Sequence, residues 1–422
     1  MRYMILVKEL GMSRTSMKKR GLATLKVIPP AVTLACTSLP APIKWMTLTN
    51  DSLPEREKMQ GVEEMKAGNE IKTIEREVTG KLKVVMTKIA ERNGSEEMLA
   101  HGEDYEDEDW ECPHCSFTNY SRTSYRMFCA QCHRPRNEIP LRSGYLLTGG
   151  SGSGKSVVLG QLIHWARTQG WLALVVPSGW RFANWSPMIV PSQHIPDMFE
   201  DPFESTDVLQ SFVNGHSRAL LESIPIREKV ASERWNNAQN LAQLLDAALD
   251  DDRFEERSTA LFDIIQELST CVEAPCLVAV DEIETFFAPY IDHYYDSEQL
   301  VPEDLIGISR LRAGLYYPQA DVENDPHQAP LLFKRGLALY ATHSYGRPNT
   351  LGKNVSFRTI VPHMPHELRV LPFDDAEFQA ACDFYRDDMV ADKEALTYHN
   401  IRSLKLMTQR NPRKLYSRLL LL

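Results

Sequence analysis

A chain of 422 residues with 43% apolar and 25% charged residues is long enough for two or three globular domains and too apolar to be disordered throughout. Its net charge of −10 excludes a protein that coats nucleic acid by bulk charge alone. No run of eighteen apolar residues occurs, so no membrane span is expected.

Charge is unevenly spread. Residues 1–50 carry Arg2, Lys8, Arg14, Lys18, Lys19, Arg20, Lys26 and Lys44 against one acid, Glu9, among frequent Ser and Thr. A basic, hydroxylated, acid-poor start has the make-up of a mitochondrial transit segment. Residues 51–108 are instead rich in Glu, Asp and Lys and read as a charged linker, partly helical or disordered. Within them Ile71, Ile74, Val78, Leu82, Val85 and Ile89 recur at three- and four-residue steps, which predicts one narrow apolar stripe on a helix weakened by Gly80. The acidic run His101–Glu111 closes the linker.

Residues 109–136 hold two Cys-x-x-Cys pairs, Cys112/Cys115 and Cys129/Cys132, separated by thirteen residues. Four thiolates at that spacing predict a closed, tetrahedral structural Zn²⁺ site with no open position for catalysis. His114, inside the first pair, is not expected to ligate. Cys36, Cys271, Cys276 and Cys382 are scattered and do not form a secreted disulfide framework.

Residues 137–373 read as an α/β domain. Tyr145–Thr148 is an apolar strand and Val157–Trp165 an apolar helix. Between them Gly149-Gly150-Ser151-Gly152-Ser153-Gly154-Lys155-Ser156 fits the G-x-x-x-x-G-K-[ST] phosphate loop. Glycines let backbone N–H groups approach a polyphosphate without Cβ clashes, and the following helix, beginning near Val157, turns its positive end to the anion. Lys155 is expected on the β/γ-phosphates and Ser156 on Mg²⁺. Leu172–Val176 is a second buried strand, followed by a loop over 177–201 with Trp180, Phe182 and Trp185. Residues 206–270 have helical spacing through Val208, Leu209, Phe212, Leu241, Leu244, Leu245, Ala248 and Leu249.

Cys276–Val280 is a continuous apolar strand ending in Asp281-Glu282. An acid at a strand end beside the phosphate loop is the second Mg²⁺ position, here Asp281, and Glu282 is the candidate base for orienting water, with Glu284 a weaker competitor. Leu337–Ala341 ends in Thr342-His343-Ser344, where a polar group can sense a terminal phosphate as in additional-strand, AAA-like P-loop NTPases. Arg310, Arg312 and Arg347 are arginine-finger candidates by proximity to the motifs. The Asn-Lys-x-Asp signature that reads guanine is absent, so motifs leave the base open and ATP possible. Residues 374–422 are expected to be helical around Phe378, Ala381, Cys382, Tyr385, Ile401–Met407 and Leu415–Leu422, with Asn411-Pro412 between the last two helices and a buried apolar end at Leu419–Leu422.

Two resemblances attach to these residues. The finger resembles the Ran-binding nucleoporin type, W-x-C-x-x-C-x-x-x-N-x-x-x-x-x-x-C-x-x-C, with Trp110, Cys112, Cys115 and Asn119 in register and a gap to Cys129 three residues longer. That resemblance implies RNA binding, by Trp110, Arg122, Arg126, Arg134 and Arg136, or ubiquitin binding through Ser116-Phe117. From about Leu141 to the end, the ordered segments GYLLTGGSGSGKSVVLGQLIHWARTQGWLALVVPSG, EDPFESTDVLQSF, CLVAVDEIETFFAP, VPEDLIGISRLRAGL, LALYATHS and RSLKLMTQRNPRKLYSRLLLL resemble the death-associated protein 3 family. The resemblance implies a guanine nucleotide, GTP or GDP, held mainly for structure in the mitochondrial small ribosomal subunit, among its rRNA and proteins and near contacts to the large subunit. Glu282 stands where that family often has Gly, which leaves slow hydrolysis open. A free additional-strand ATPase or signalling switch, and a zinc-finger adaptor, are the competing readings.

Overall fold

The computed structural model describes residues 44–49, 70–92, 109–112, 114–119, 129–136, 139, 141–315, 331–343, 367–387 and 396–419. The transit reading falls largely outside them, as do the acidic residues 101–108, Cys36, Arg122, Arg126, Ser344, Arg347 and residues 420–422.

The described elements that matter for the site are, in order, β1 (Trp45–Thr49), β2 (Glu70–Ile74), α1 (Glu77–Ala90), β3 (Trp110–Glu111), β4 (Thr118–Asn119), β5 (Gly144–Thr148), α2 (Lys155–Thr168), β6 (Leu172–Val176), α3 (Gly179–Asn184), α4 (Pro202–Asn214), α5 (Leu241–Ala248), α6 (Arg257–Thr270), β7 (Cys276–Asp281), α7 (Ile306–Arg312), β8 (Gly336–Ala341), β9 (Glu367–Arg369), α8 (Asp375–Asp387), α9 (Tyr398–Thr408) and α10 (Pro412–Leu419). Five strands form one parallel sheet in the order β9-β5-β8-β7-β6. The strand β8 is therefore inserted between β5, which feeds the glycine-rich loop, and β7, which ends in Asp281.

The continuous apolar strands are explained by burial on both faces. Side chains alternate with period two. Leu146, Leu174, Val176, Val278, Val280, Ala338 and Tyr340 point into one core with the helices α4 to α7. Tyr145, Leu147, Ala173, Val175, Leu277, Ala279, Leu337 and Leu339 point into the other, against α1 and α2. A third cluster gathers Phe378, Cys382, Leu404, Leu415 and Leu419 of α8 to α10, and it also takes in Ile74.

The segment read as a charged linker differs from expectation. Its helix begins at Glu77, and Ile71 and Ile74 lie on β2, paired antiparallel with β1. Three- and four-residue spacing ran on across the strand by coincidence, because Glu75 and Arg76 break the helix before it. The strand β1 itself lies inside the 1–50 segment set off by its charge. Val78, Leu82, Val85, Met86 and Ile89 are buried in the sheet's own core, and Thr79 donates to Gln161 of α2 at 2.7 Å. The short helix α3 also replaces part of the predicted 177–201 loop. Ser178 caps it, accepting from the Arg181 N–H at 3.2 Å, and its Phe182 is buried while Trp185 is exposed. No helix among the described residues is long and apolar enough to cross a membrane.

Candidate functional site

The loop between β5 and α2 owes its path to glycine. Gly149, Gly152 and Gly154 have φ of +147°, +72° and +100°, conformations that cost L-residues strain. At Gly149 a Cβ would lie 2.3 Å from the Val370 carbonyl oxygen, just beyond β9. Lys155 opens α2 and is buried, and its ammonium donates to the Gly149 and Gly150 carbonyls at 3.1 Å each. Burial lowers its pKa to about 8, against the pull of Asp281. A buried cation at a helix N-terminus, beside loop glycines that leave backbone N–H groups accessible, is a donor set that fits a bound polyphosphate.

Asp281 ends β7 and is fully enclosed. Burial raises its carboxyl to about 7, partly offset by a hydrogen bond from Ser156. The two predicted Mg²⁺ positions are thus in direct contact. They line one cavity with Ser151, Gly152, Gly154, Lys155 and Val157. Glu282 lines it as well, with the left-handed backbone φ of 58°. Its carboxylate accepts a hydrogen bond from Ser178 and lies 3.4 Å from His343 Nδ1. Glu284 is not in that lining. It is buried, raised to about 8 by desolvation, and accepts the His343 backbone N–H at 3.0 Å, which fixes the end of β8. Thr342 lines the cavity and its N–H binds the Leu147 carbonyl at 3.0 Å.

The arginine candidates are displaced from this cavity. Arg310 packs over Phe262 and bonds Gln266, and Arg312 lies over Phe287 beside Glu303. Both sit on α7, on the far face of the sheet. The cations that do approach the loop come from elements whose role was not legible. Arg76, directly before α1, donates from Nη1 to the Ser153 carbonyl at 3.2 Å, from Nη2 to the Leu371 and Pro372 carbonyls at 2.6 and 3.1 Å, and from Nε to Glu377 at 3.1 Å. Asn411 donates to the Ser151 carbonyl at 2.5 Å, and Arg413 lines the cavity from α10. Asn411-Pro412 is legible in the sequence as the break between the last two helices, but its approach to the loop is not.

The four-cysteine module is built from two like turns. The Cys112 N–H binds the Phe117 carbonyl at 2.9 Å, and the Cys129 N–H binds the Arg134 carbonyl at 2.8 Å. Ser116 and His133, each directly after the second cysteine of its pair, take left-handed φ of 54° and 60°. Asn119 ties the halves: its Oδ1 accepts the Ala130 N–H at 2.9 Å and its Nδ2 donates to the Phe117 carbonyl at 3.2 Å. All four Sγ atoms lie within 4.8 Å of one another, which fits a tetrahedral Zn–S₄ shell with bonds of about 2.3 Å. His114 turns outward, 3.7 Å from Glu77 on α1. Lys81 of α1 donates to the Pro135 and Arg136 carbonyls at 3.1 and 2.6 Å, and Arg369 of β9 meets His133 Nδ1 at 3.0 Å. The module is therefore docked on the α/β body. Arg136 covers the Trp110 ring at 5.0 Å, so one face of that aromatic is occupied within the chain.

Comparison with known proteins adds the following. Residues 142–313 match the family model "Mitochondrial ribosomal death-associated protein 3". Small ribosomal subunit protein mS29 of Mus musculus is 24% identical over 284 residues, covering 64% of this chain and 68% of the relative. The Bos taurus protein of the same name is 24% identical over 281 residues, covering 64% and 67%. The matched segment holds β5 to α7, with the glycine-rich loop and Asp281. Over that segment the chain is similar to the mitochondrial ribosomal death-associated protein 3 family.

Proposed function

We propose that this chain is a structural protein of the mitochondrial small ribosomal subunit whose phosphate loop holds a guanine nucleotide with Mg²⁺, in support of mitochondrial translation. Its relatives carry the name of a small-subunit protein, and the family is mitochondrial and ribosomal. Partners of this kind are the subunit's rRNA and proteins, with contacts to the large subunit.

The observation that carries the nucleotide reading is the buried Lys155 ammonium at the start of α2, facing Ser156 and Asp281 across one cavity. It sits in a five-stranded parallel sheet with β8 between the loop strand and the acid strand, which supports an additional-strand P-loop reading. Main-chain N–H groups of residues 149–157 would bind the phosphates, and Ser156 and Asp281 would hold Mg²⁺, which supplies charge neutralisation when bound. Glu282 is engaged by Ser178 and His343. A general base that is already hydrogen-bonded to a hydroxyl and near a second donor is a weak one, which favours retention of the nucleotide over turnover. Ligand binding to the folded state alone stabilises it by RT ln(1 + [L]/Kd), roughly 4 kcal/mol at a thousandfold excess. The four cysteines are proposed to hold one structural Zn²⁺, stapling residues 109–136 to the body.

The test is sucrose-gradient fractionation of mitochondria expressing wild type or Lys155→Ala. Wild type in the small-subunit fractions with the mutant shifted to the top supports the reading. Wild type absent from ribosomal fractions refutes it.

A further inference from the structure

Among the described residues, every exposed aromatic except Phe117 falls in two segments, residues 180–203 and 290–295. Trp185 and Tyr294 are 63% and 65% exposed. The two segments are joined. The Asp292 N–H donates to Asn184 Oδ1 at 2.9 Å, directly beside Trp185, and the rings of Tyr295 and Phe199 lie 4.9 Å apart between centroids. A tight hairpin presents the tyrosines: Tyr294–Tyr295 pairs antiparallel with Glu298–Gln299. Asp296 and Ser297 between them take left-handed φ of 49° and 72°, the two-residue turn that matches strand twist. Large rings held at the surface of one region, on a chain with a filled core, mark an interaction face.

The charge of that face selects its partner. Residues 289–304 hold Asp292, Asp296, Glu298, Glu303 and Asp304 and no Lys or Arg. Glu303 is engaged by Arg312 and Asp304 by the Val301 N–H, whereas Asp292, Asp296 and Glu298 are exposed. The one guanidinium of the two segments, Arg181, lies 6.0 Å from the Trp185 ring and is paired with Glu204 and Asp207. It therefore adds no net positive charge, and it already makes the contact a partner's cation would repeat, over a ring with carboxylates beside it. A phosphate backbone is repelled by such a face, and a wholly apolar partner would strip the carboxylates of water without replacing it. A segment rich in Lys and Arg satisfies both groups, the rings by cation–π contact and the acids by ion pairing.

We infer that the face formed by Trp185, Tyr290, Tyr294 and the 296–298 turn docks a Lys/Arg-rich segment of another protein. The inference goes beyond the nucleotide reading and does not depend on it, since none of these residues lines the phosphate-loop cavity.

The experiment titrates the purified full-length chain into a fluorescein-labelled peptide of alternating Lys, Leu and Arg, with binding followed by anisotropy. Trp185→Ala combined with Tyr294→Ala removes two exposed rings without changing the charge. It should weaken binding about 10- to 30-fold, the range for aromatic hot spots. Glu298→Lys keeps the rings and should also weaken binding, with a loss that shrinks as salt screens the charge. It serves if the alanine pair misfolds. A folded wild type that does not bind the peptide overturns the inference, and so do variants that bind as wild type does, because the peptide is then held by net charge alone. In cells, Tyr294 is replaced by the photo-crosslinker benzoylphenylalanine. A cross-link to a Lys/Arg-rich protein segment is expected; a cross-link to RNA, or none, overturns the inference and leaves the nucleotide reading untouched.

Discussion

Arg76 offers the sharpest test of how this molecule is held together. Its guanidinium is 8% exposed and makes four hydrogen bonds to three parts of the chain: the loop at Ser153, the 371–372 turn after β9, and Glu377 on α8. It also stacks over Phe373 at 5.0 Å. Desolvation lowers its pKa, opposed by Glu377, so the pair is worth little against an apolar replacement of both partners but much against removal of one. Arg76→Ala leaves Glu377, largely shielded, without its counter-charge and three carbonyls without a donor. We expect a loss of about 3–5 kcal/mol, the range for breaking a buried pair. At 2–4 °C per kcal/mol that is a fall of roughly 10 °C in Tm. Arg76→Lys should recover little, since one ammonium cannot span the same acceptors. Guanidinium denaturation of Arg76→Ala, of Glu377→Gln and of the double variant closes a double-mutant cycle with an expected coupling above about 1 kcal/mol. A loss below about 1 kcal/mol for Arg76→Ala would refute the reasoning and mean that residues 70–92 are an appendage rather than part of the core.

Three further outcomes are expected. Gly149→Ala, whose Cβ meets the Val370 oxygen at 2.3 Å with φ at +147°, should cost about 1–3 kcal/mol in a denaturant melt and abolish nucleotide binding, and a variant that binds like wild type would contradict the loop geometry. Metal analysis of the protein purified without chelator should find one zinc per chain, lost in Cys112→Ser together with a lower Tm, whereas a metal-free native protein would remove the Zn–S₄ site. His216 is held neutral: its Nε2 accepts the Ala173 N–H at 2.9 Å and its Nδ1 donates to the Phe212 carbonyl at 2.7 Å. Burial, aided by Arg167, lowers its pKa to about 4. A base depressed on folding stabilises above its unfolded pKa of about 6.5 and loses that as pH falls through the folded value, so about 3 kcal/mol should vanish between pH 6.5 and 4. The slope of stability against pH in that window should flatten in His216→Gln, and an unchanged slope would show that other groups carry it.

The sequence by itself determined the parts whose chemistry is local. Leu172–Val176 and Cys276–Val280 announce buried parallel strands because both faces must be apolar. The glycines of 149–154 mark a left-handed loop because few other residues tolerate it, and the cysteine spacing marks two turns because four sulfurs must converge. Asn119 was legible through its place in the finger pattern, and the structure shows it joining the two halves. Tertiary structure alone decided what meets across long separations. Arg76 and Glu377 lie 301 residues apart, and Asn411 and Ser151 lie 260 apart, and no periodicity encodes such pairs. The apolar stripe around Leu82 fits a solvated helix as well as one docked on a partner or on the later domain, and only the sheet beneath it shows that its apolar face completes a core. The first arginines after the acid motif in sequence, Arg310 and Arg312, were carried to the opposite face by the helix that bears them. Arg413, distant in sequence, was brought to the cavity by the packing of α10 on Gly152, a contact that exists only because a residue without a side chain lets two backbones approach.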